Sequence, residues 1–158
     1  MLDYGCLMLD FQIKGWSNLK QYIGVYDDDL VEPMPQDPHC TVCYGFSNEV
    51  DPEYLSKICP SLGLFDFVIT DVGCFKNEDS DVVHFVLKSQ TATALNSVLI
   101  NTFNVTVTHP EYTPHMTIGF FKAKCSDKYL KKIKYQKNTK IRPYRYRYSY
   151  PSGNEYYF

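Results

Sequence analysis

The sequence predicts an α+β fold of two pseudo-symmetric lobes with a sheet in each, and three observations carry that prediction. A five-residue phrase occurs twice, as Pro38-His39-Cys40-Thr41-Val42 and Pro114-His115-Met116-Thr117-Ile118, 76 positions apart. Each copy lies in an apolar run bounded by proline before and polar residues after, Cys40 to Phe46 and Met116 to Phe121, which reads as a strand. Strand and helix patterns precede both copies in similar order. At 158 residues and 44% hydrophobic content the chain has room for a core, and residues 1–158 read as a single bilobal domain.

Leu7, Leu9, Phe11 and Ile13 alternate with Met8, Asp10 and Gln12 as a first strand, and Trp16, Leu19 and Ile23 then recur at helical spacing. Gly24 to Pro38 holds three prolines and five acids, so it reads as an irregular surface connection. After the first motif strand, Asp51-Pro52-Glu53 supplies an N-cap, a proline at the first helical position and an acid in the first turn. That helix buries Tyr54, Leu55 and Ile58, and Pro60 ends it. Phe65 to Leu87 reads as a hairpin turning at Lys76 to Asp81, and the next helix places Ala92, Leu95, Val98 and Leu99 on one face. It leads to the second motif strand. Ser126-Asp127 then starts a helix with Tyr129, Leu130 and Ile133 inward. Residues 151–158 read as an aromatic flap or a flexible tail.

Side chains two apart on a strand share a face, so His39 and Thr41 point one way, as do His115 and Thr117. An imidazole beside a hydroxyl, presented twice, suits a tetrahedral anion with one bond to make and one to break, such as a phosphodiester. Imidazole titrates near pH ~6.5, so one histidine can accept a proton while the other, charged, donates one. The threonine hydroxyls can donate to the non-bridging phosphoryl oxygens. The candidate catalytic residues are therefore His39, Thr41, His115 and Thr117, and this chemistry calls for no metal and no cofactor. The motif does not say which histidine is base and which is acid.

The paired His-x-Thr motifs resemble those of the two-histidine (2H) phosphoesterase superfamily, the LigT-type RNA ligases and cyclic phosphodiesterases, over roughly residues 5 to 122. The resemblance implies lobes of antiparallel strands with helices outside and an active-site cleft between them. Tyr4-Gly5-Cys6-Leu7-Met8, the acidic loop Tyr26 to Asp37 and Tyr44-Gly45 are similar to small bacteriophage members. Some of those are anti-CBASS enzymes that destroy cyclic oligonucleotide messengers. The implied function is phosphodiester hydrolysis of such a messenger; the alternatives are an RNA-end 2',3'-cyclic phosphodiesterase or 2',5'-ligase on the same four residues, and a non-catalytic nucleotide- or RNA-binding module. The resemblance also suggests Phe75 as a pocket aromatic.

Charge is distributed unevenly behind a net value of -2. Met1 to Asp81 carries fifteen acids against four bases, whereas Lys122 to Arg147 carries eleven bases against Asp127 alone. That basic third favours a polyanionic partner, a cyclic oligonucleotide or RNA, and no obligate protein partner is indicated. In an extended segment Tyr144, Tyr146, Tyr148 and Tyr150 share one side and Arg145 and Arg147 the other. Tyr148, Tyr150, Arg145 and Arg147 join Phe75 as candidate substrate-binding residues, able to stack bases and pair with phosphates. The competing reading is an edge strand whose tyrosines pack on the core.

Other features read as structural. The six cysteines are scattered through apolar patterns as free thiols, and Cys40-x-x-Cys43 lacks a second ligand pair, although Cys43 would share the His39 face. Asp27-Asp28-Asp29 reads as a solvated face, His84 as a structural or exposed strand histidine, and His109-Pro110 as loop. No apolar stretch approaches ~18 residues and no basic n-region opens the chain, so a cytoplasmic location, with no membrane partner, is expected, that of a phage-infected cell if the phage likeness holds.

Overall fold

The computed structural model describes residues 3–158. The strands are β1 (Gly5–Phe11), β2 (His39–Phe46), β3 (Val68–Lys76), β4 (Ser80–Lys88), β5 (His115–Lys122), β6 (Thr139–Lys140), β7 (Pro143–Ser149) and β8 (Glu155–Tyr157). Four α-helices intervene among the described residues: α1 (Leu19–Ile23), α2 (Pro52–Ile58), α3 (Gln90–Thr102) and α4 (Asp127–Leu130). The strands run in the order β6-β3-β4-β5-β2-β1-β7-β8, and every pairing is antiparallel. The eight strands form one continuous sheet, and its halves of four strands each stand where the sequence reading expected a sheet in each lobe. They meet at the motif strands through one residue pair, Cys40 with Met116.

Cys40 and Met116 are fully buried, as are Leu7, Leu9, Val42, Val83, Leu99 and Ile118. Each such aliphatic side chain contributes about 1.5–3 kcal/mol by leaving water. α3 covers this apolar face, and Asn96 Nδ2 donates to the Val42 carbonyl at 2.7 Å. Because alternate residues point to opposite faces, the histidines and threonines beside Cys40 and Met116 are left on the other, open face.

The local signals act as their chemistry dictates. The Asp51 carboxylate accepts from Glu53 N at 2.9 Å and caps α2, with Pro52 at its first position. Ser89 caps α3 by accepting from Ala92 N. On α3 the inward residues are Ala92, Leu95, Asn96 and Leu99, and Val98 is turned to solvent; the expected apolar face is rotated by the Asn96 bond to β2. Among the described residues no helix is long and apolar enough to cross a membrane.

Loops brace the lobes crosswise. The connection before the first motif pairs with the second motif strand through Leu30 and Phe121, with Val31 N donating to the Phe120 carbonyl at 2.9 Å. Reciprocally, the connection before the second motif pairs with the first motif strand through Val105 and Phe46, with Thr106 N donating to the Gly45 carbonyl at 2.8 Å. Gly45 is required at this crossing: its φ is 112°, and a Cβ would lie 2.2 Å from the Thr106 carbonyl oxygen. Asp27 and Asp29 of the first loop are occupied structurally, paired with Lys20 and Lys128 respectively.

Candidate active site

The proline of each motif is used in the same way. Pro38 accepts from Phe11 N at 2.9 Å, and Pro114 accepts from Leu87 N at 3.0 Å. Each bond ties the start of a motif strand to the neighbouring strand and fixes where its histidine emerges. His39 Nδ1 then meets the Asp37 carbonyl at 3.0 Å, and His115 Nδ1 meets the Thr113 carbonyl at 2.8 Å. A carbonyl can only accept, so both Nδ1 atoms carry the proton and both Nε2 atoms are presented for chemistry. The Cys40–Met116 pair sets the two motif strands side by side, so both histidines emerge on one face of the sheet.

Cross-strand partners share a face, so the pairings show what surrounds each motif. Beside the first, Asp10 lies opposite His39 and Met8 opposite Thr41; Arg145 and Arg147 come next on β7. Beside the second, Val86 lies opposite His115 and His84 opposite Thr117, with Gly73 next on β3. Cys6 Sγ approaches Thr41 Oγ1 at 4.0 Å. Tyr112, just before the second motif, donates to the Thr41 carbonyl at 3.0 Å and so connects the two motif regions.

Phe75 stands in the second half: its ring stacks on His84 with centroids 4.1 Å apart and meets the His115 ring edge at 5.1 Å. His84 was missed by sequence reasoning. It is 3% exposed, its ring centroid is 5.2 Å from that of His115, and its Nδ1 bonds the Val82 carbonyl at 3.0 Å. Gly73 makes the space, since a Cβ there would lie 2.8 Å from His84 Nε2. Burial holds both imidazoles below the usual histidine range; for His115 the His39 charge adds to this, and for His84 the His115 charge does.

The C-terminal candidates divide by face. Tyr148 is fully buried, its hydroxyl accepts from Val50 N at 3.1 Å, and its ring packs edge-on against Phe46. It lies opposite Leu7 on the core side, and Tyr150 packs against it with centroids 4.8 Å apart. Neither tyrosine is brought to the motif face, because the register of β7 against β1 turns the tyrosine side to the core. Arg145 and Arg147 do reach the motif face, where both are tied to the buried Asp10: Arg145 Nε donates at 2.7 Å and Arg147 Nε at 3.1 Å. Arg147 also pairs with Glu155 at 3.3 Å, and Arg145 lies over the Tyr157 ring at 4.2 Å.

A one-residue bulge in β2 alters the expected place of Cys43. Thr41 pairs with Met8 and Cys43 with Leu7, so Val42 is the extra residue and Cys43 turns into the core. Burial pushes Cys6 and Cys43 up to about 12 and Cys40 to about 11, leaving protonated thiols without nucleophilic or ligand character.

The family model described as the 2'-5' RNA ligase superfamily matches residues 13–142. The chain belongs to that superfamily. Among solved structures it is similar to Usb1 of Kluyveromyces marxianus, with a TM-score of 0.61 at 11% identity over 98% of this chain and 97% of that one. No curated protein matches the sequence. Family membership makes the protein a phosphodiesterase of the 2H type, and the likeness to Usb1 is one of fold.

Proposed function

We propose that this 2H phosphodiesterase cleaves ribonucleotide phosphodiester linkages by proton exchange between His39 and His115, without a metal. The observation that carries the reading is the shared use of Nδ1: each motif histidine spends that atom on the backbone carbonyl two residues earlier and offers Nε2 to the open face. One Nε2 removes the proton from a ribose 2'-hydroxyl, which attacks phosphorus, and the other protonates the departing 5'-oxygen. A 2',3'-cyclic phosphate and a free 5'-hydroxyl result. Thr41 and Thr117 donate to the non-bridging oxygens as negative charge develops there.

The two histidines take different roles. His115, enclosed by Phe75 and His84 and held below the ordinary range by burial, is the neutral partner and acts as base. His39, across from the Asp10 cluster, is the acid. Two substrates fit this chemistry, a 2',3'-cyclic RNA end taking water in place of the 2'-hydroxyl: one Nε2 removes the water's proton as it attacks phosphorus, and the other protonates the ribose oxygen released as a ring P–O bond breaks. RNA ends follow from the superfamily's description, while cyclic oligonucleotide messengers of bacterial immunity follow from the likeness of Tyr4 to Met8, Tyr26 to Asp37 and Tyr44-Gly45 to small phage enzymes.

The test is incubation, with chelator present, against cyclic di- and trinucleotides, linear RNA and RNA bearing a 2',3'-cyclic phosphate end. Cleavage of a ribonucleotide diester that disappears in His39→Ala and His115→Ala is the expected result. Activity restored only by a divalent ion, or no cleavage of any member, contradicts the proposal. Cyclic oligonucleotides left untouched beside efficiently processed RNA ends would remove the messenger reading alone.

A further inference from the structure

Both motif strands contain the same irregularity at the same place. In β2 the extra residue is Val42, between Thr41 paired with Met8 and Cys43 paired with Leu7. In β5 it is Ile118, between Thr117 paired with His84 and Gly119 paired with Val83. The bulge turns the following pair of positions over. Cys43 and Gly119 therefore go to the core, and the next residues, Tyr44 and Phe120, return to the face of the histidines.

Pairings independent of the alternation place both aromatics there. Tyr44 lies opposite Cys6, whose sulfur touches Thr41 Oγ1 on the motif face. Phe120 lies opposite Val82, which on its other side pairs with Phe75, and the Phe75 ring contacts His115. Tyr44 is 43% exposed and Phe120 is half-buried, so each has ring surface open to a ligand. The crosswise loops brace both strand ends at these residues: Thr106 N bonds Gly45 beside Tyr44, and Val31 N bonds the Phe120 carbonyl. Tyr4 meets Tyr44 edge-on with centroids 5.7 Å apart.

The strands β2 and β5 are antiparallel about the Cys40–Met116 pair. Moving from His to Thr to the aromatic thus leads in opposite directions on the two strands. Tyr44 and Phe120 stand at opposite ends of the site, each on the order of 7–10 Å along its strand from the motif threonine. A phosphorus atom held between the two motifs has an aromatic face beyond it on either side.

We propose that Tyr44 and Phe120 are paired stacking surfaces for the two nucleosides that flank the reacting phosphate, and that the substrate class is a nucleoside–phosphate–nucleoside linkage in preference to a mononucleotide 2',3'-cyclic phosphate. The inference rests on the phosphodiesterase reading for its reacting group. Stacking on an aromatic face tolerates any base, so the two surfaces select for a nucleoside on each side and leave base identity open. Phe75 extends the second surface through its neighbour Val82. On the first side the position corresponding to Phe75, opposite Cys6 on β7, is held by Ser149, and the aromatic neighbour of Tyr44 is Tyr4 instead.

The test separates binding from cleavage. Affinity is measured by calorimetry for a deoxy dinucleoside 3',5'-monophosphate, which lacks the attacking 2'-hydroxyl, and turnover is measured for its ribose counterpart and for a nucleoside 2',3'-cyclic monophosphate. Tyr44→Ala and Phe120→Ala are each expected to weaken dinucleotide binding by about 5- to 100-fold, and to raise KM more than they lower kcat. Tyr44→Phe and Phe120→Tyr should keep near-normal affinity. On the cyclic mononucleotide only one of the two alanine variants should show an effect.

Wild-type affinity in both alanine variants, equal losses in both on the one-nucleoside substrate, or no dinucleotide binding by the wild type would overturn the proposal. Binding of the dinucleotide with the expected losses, but no cleavage of the ribose form, would instead remove the phosphodiesterase reading and leave the stacking surfaces standing. Circular dichroism of each variant distinguishes a lost surface from a lost fold.

Discussion

The two halves of the site present the same His-x-Thr phrase in opposite surroundings. Around the first motif the open face is ionic, with Asp10 between Arg145 and Arg147 and Glu155 beyond. Around the second it is aromatic and apolar, with Phe75 stacked on His84, and Val86 opposite His115. An identical local motif is thereby given two electrostatic settings, and a reaction that needs a proton acceptor and a proton donor requires that inequality. Duplication supplies the geometry, and the neighbouring strands β1 with β7 and β4 with β3 supply the difference.

The largest expected effects fall on the phrase itself. His39→Ala and His115→Ala should each lower kcat by about 10² to 10⁴, measured by single-turnover cleavage, because each removes one proton-transfer partner. Near-normal turnover in either would end the symmetrical reading of the motifs. Asp10→Ala should sharpen the comparison next: it leaves two arginines beside a partly buried site without their carboxylate, and a loss of about 3 kcal/mol or more of stability is expected in urea denaturation. Val86→Ala, at the matching position of the other half, should cost less, about 1–2 kcal/mol, as a simple truncation.

Thr41→Val and Thr117→Val should follow, with kcat lowered about 10- to 10³-fold and binding of a deoxy dinucleotide little changed. If both matched wild type, the hydroxyls would have no part in stabilising the phosphoryl oxygens. The smallest effect is in pH-dependent stability. His84 and His115 are held below the ordinary imidazole value in the folded state, so the unfolded chain binds more protons as pH falls. Their contribution is fully present above the unfolded value near ~6.5 and is lost as pH falls through the folded values. Thermal melts from pH 8 to 5 should show this decline, and His84→Phe should make it shallower; an unchanged slope would contradict the burial ascribed to His84.

Residues whose placement depends on local periodicity were legible in the sequence. The strand period of two put each histidine on one face with its threonine, and Asp51-Pro52 announced a helix because a cap and a first-turn proline act within a few residues. What depends on register was not legible. Nothing in Val42 or Ile118 marks an extra residue, so Cys43 was expected beside His39, and the sequence does not place Tyr44 and Phe120 on the histidine face. The tyrosine alternation of β7 was visible, but which side faces the core is decided by pairing with β1, and that pairing buries Tyr148. His84 looked like a lone histidine because Phe75 and Gly73, which stack on it and make room for it, come from the other arm of a hairpin.

The most direct test of the division of labour between the halves uses one substituted atom. A dinucleoside 3',5'-monophosphate is prepared with oxygen or with sulfur as the 5'-leaving atom. A thiolate, with a pKa of about 8.5, leaves without an acid, whereas an alkoxide requires one. Sulfur should restore His39→Ala to within about tenfold of wild type on the same substrate, while His115→Ala stays impaired on both. Rescue of His115→Ala with His39→Ala remaining slow would reverse the roles, and rescue of neither would contradict the assignment of His39 as the acid.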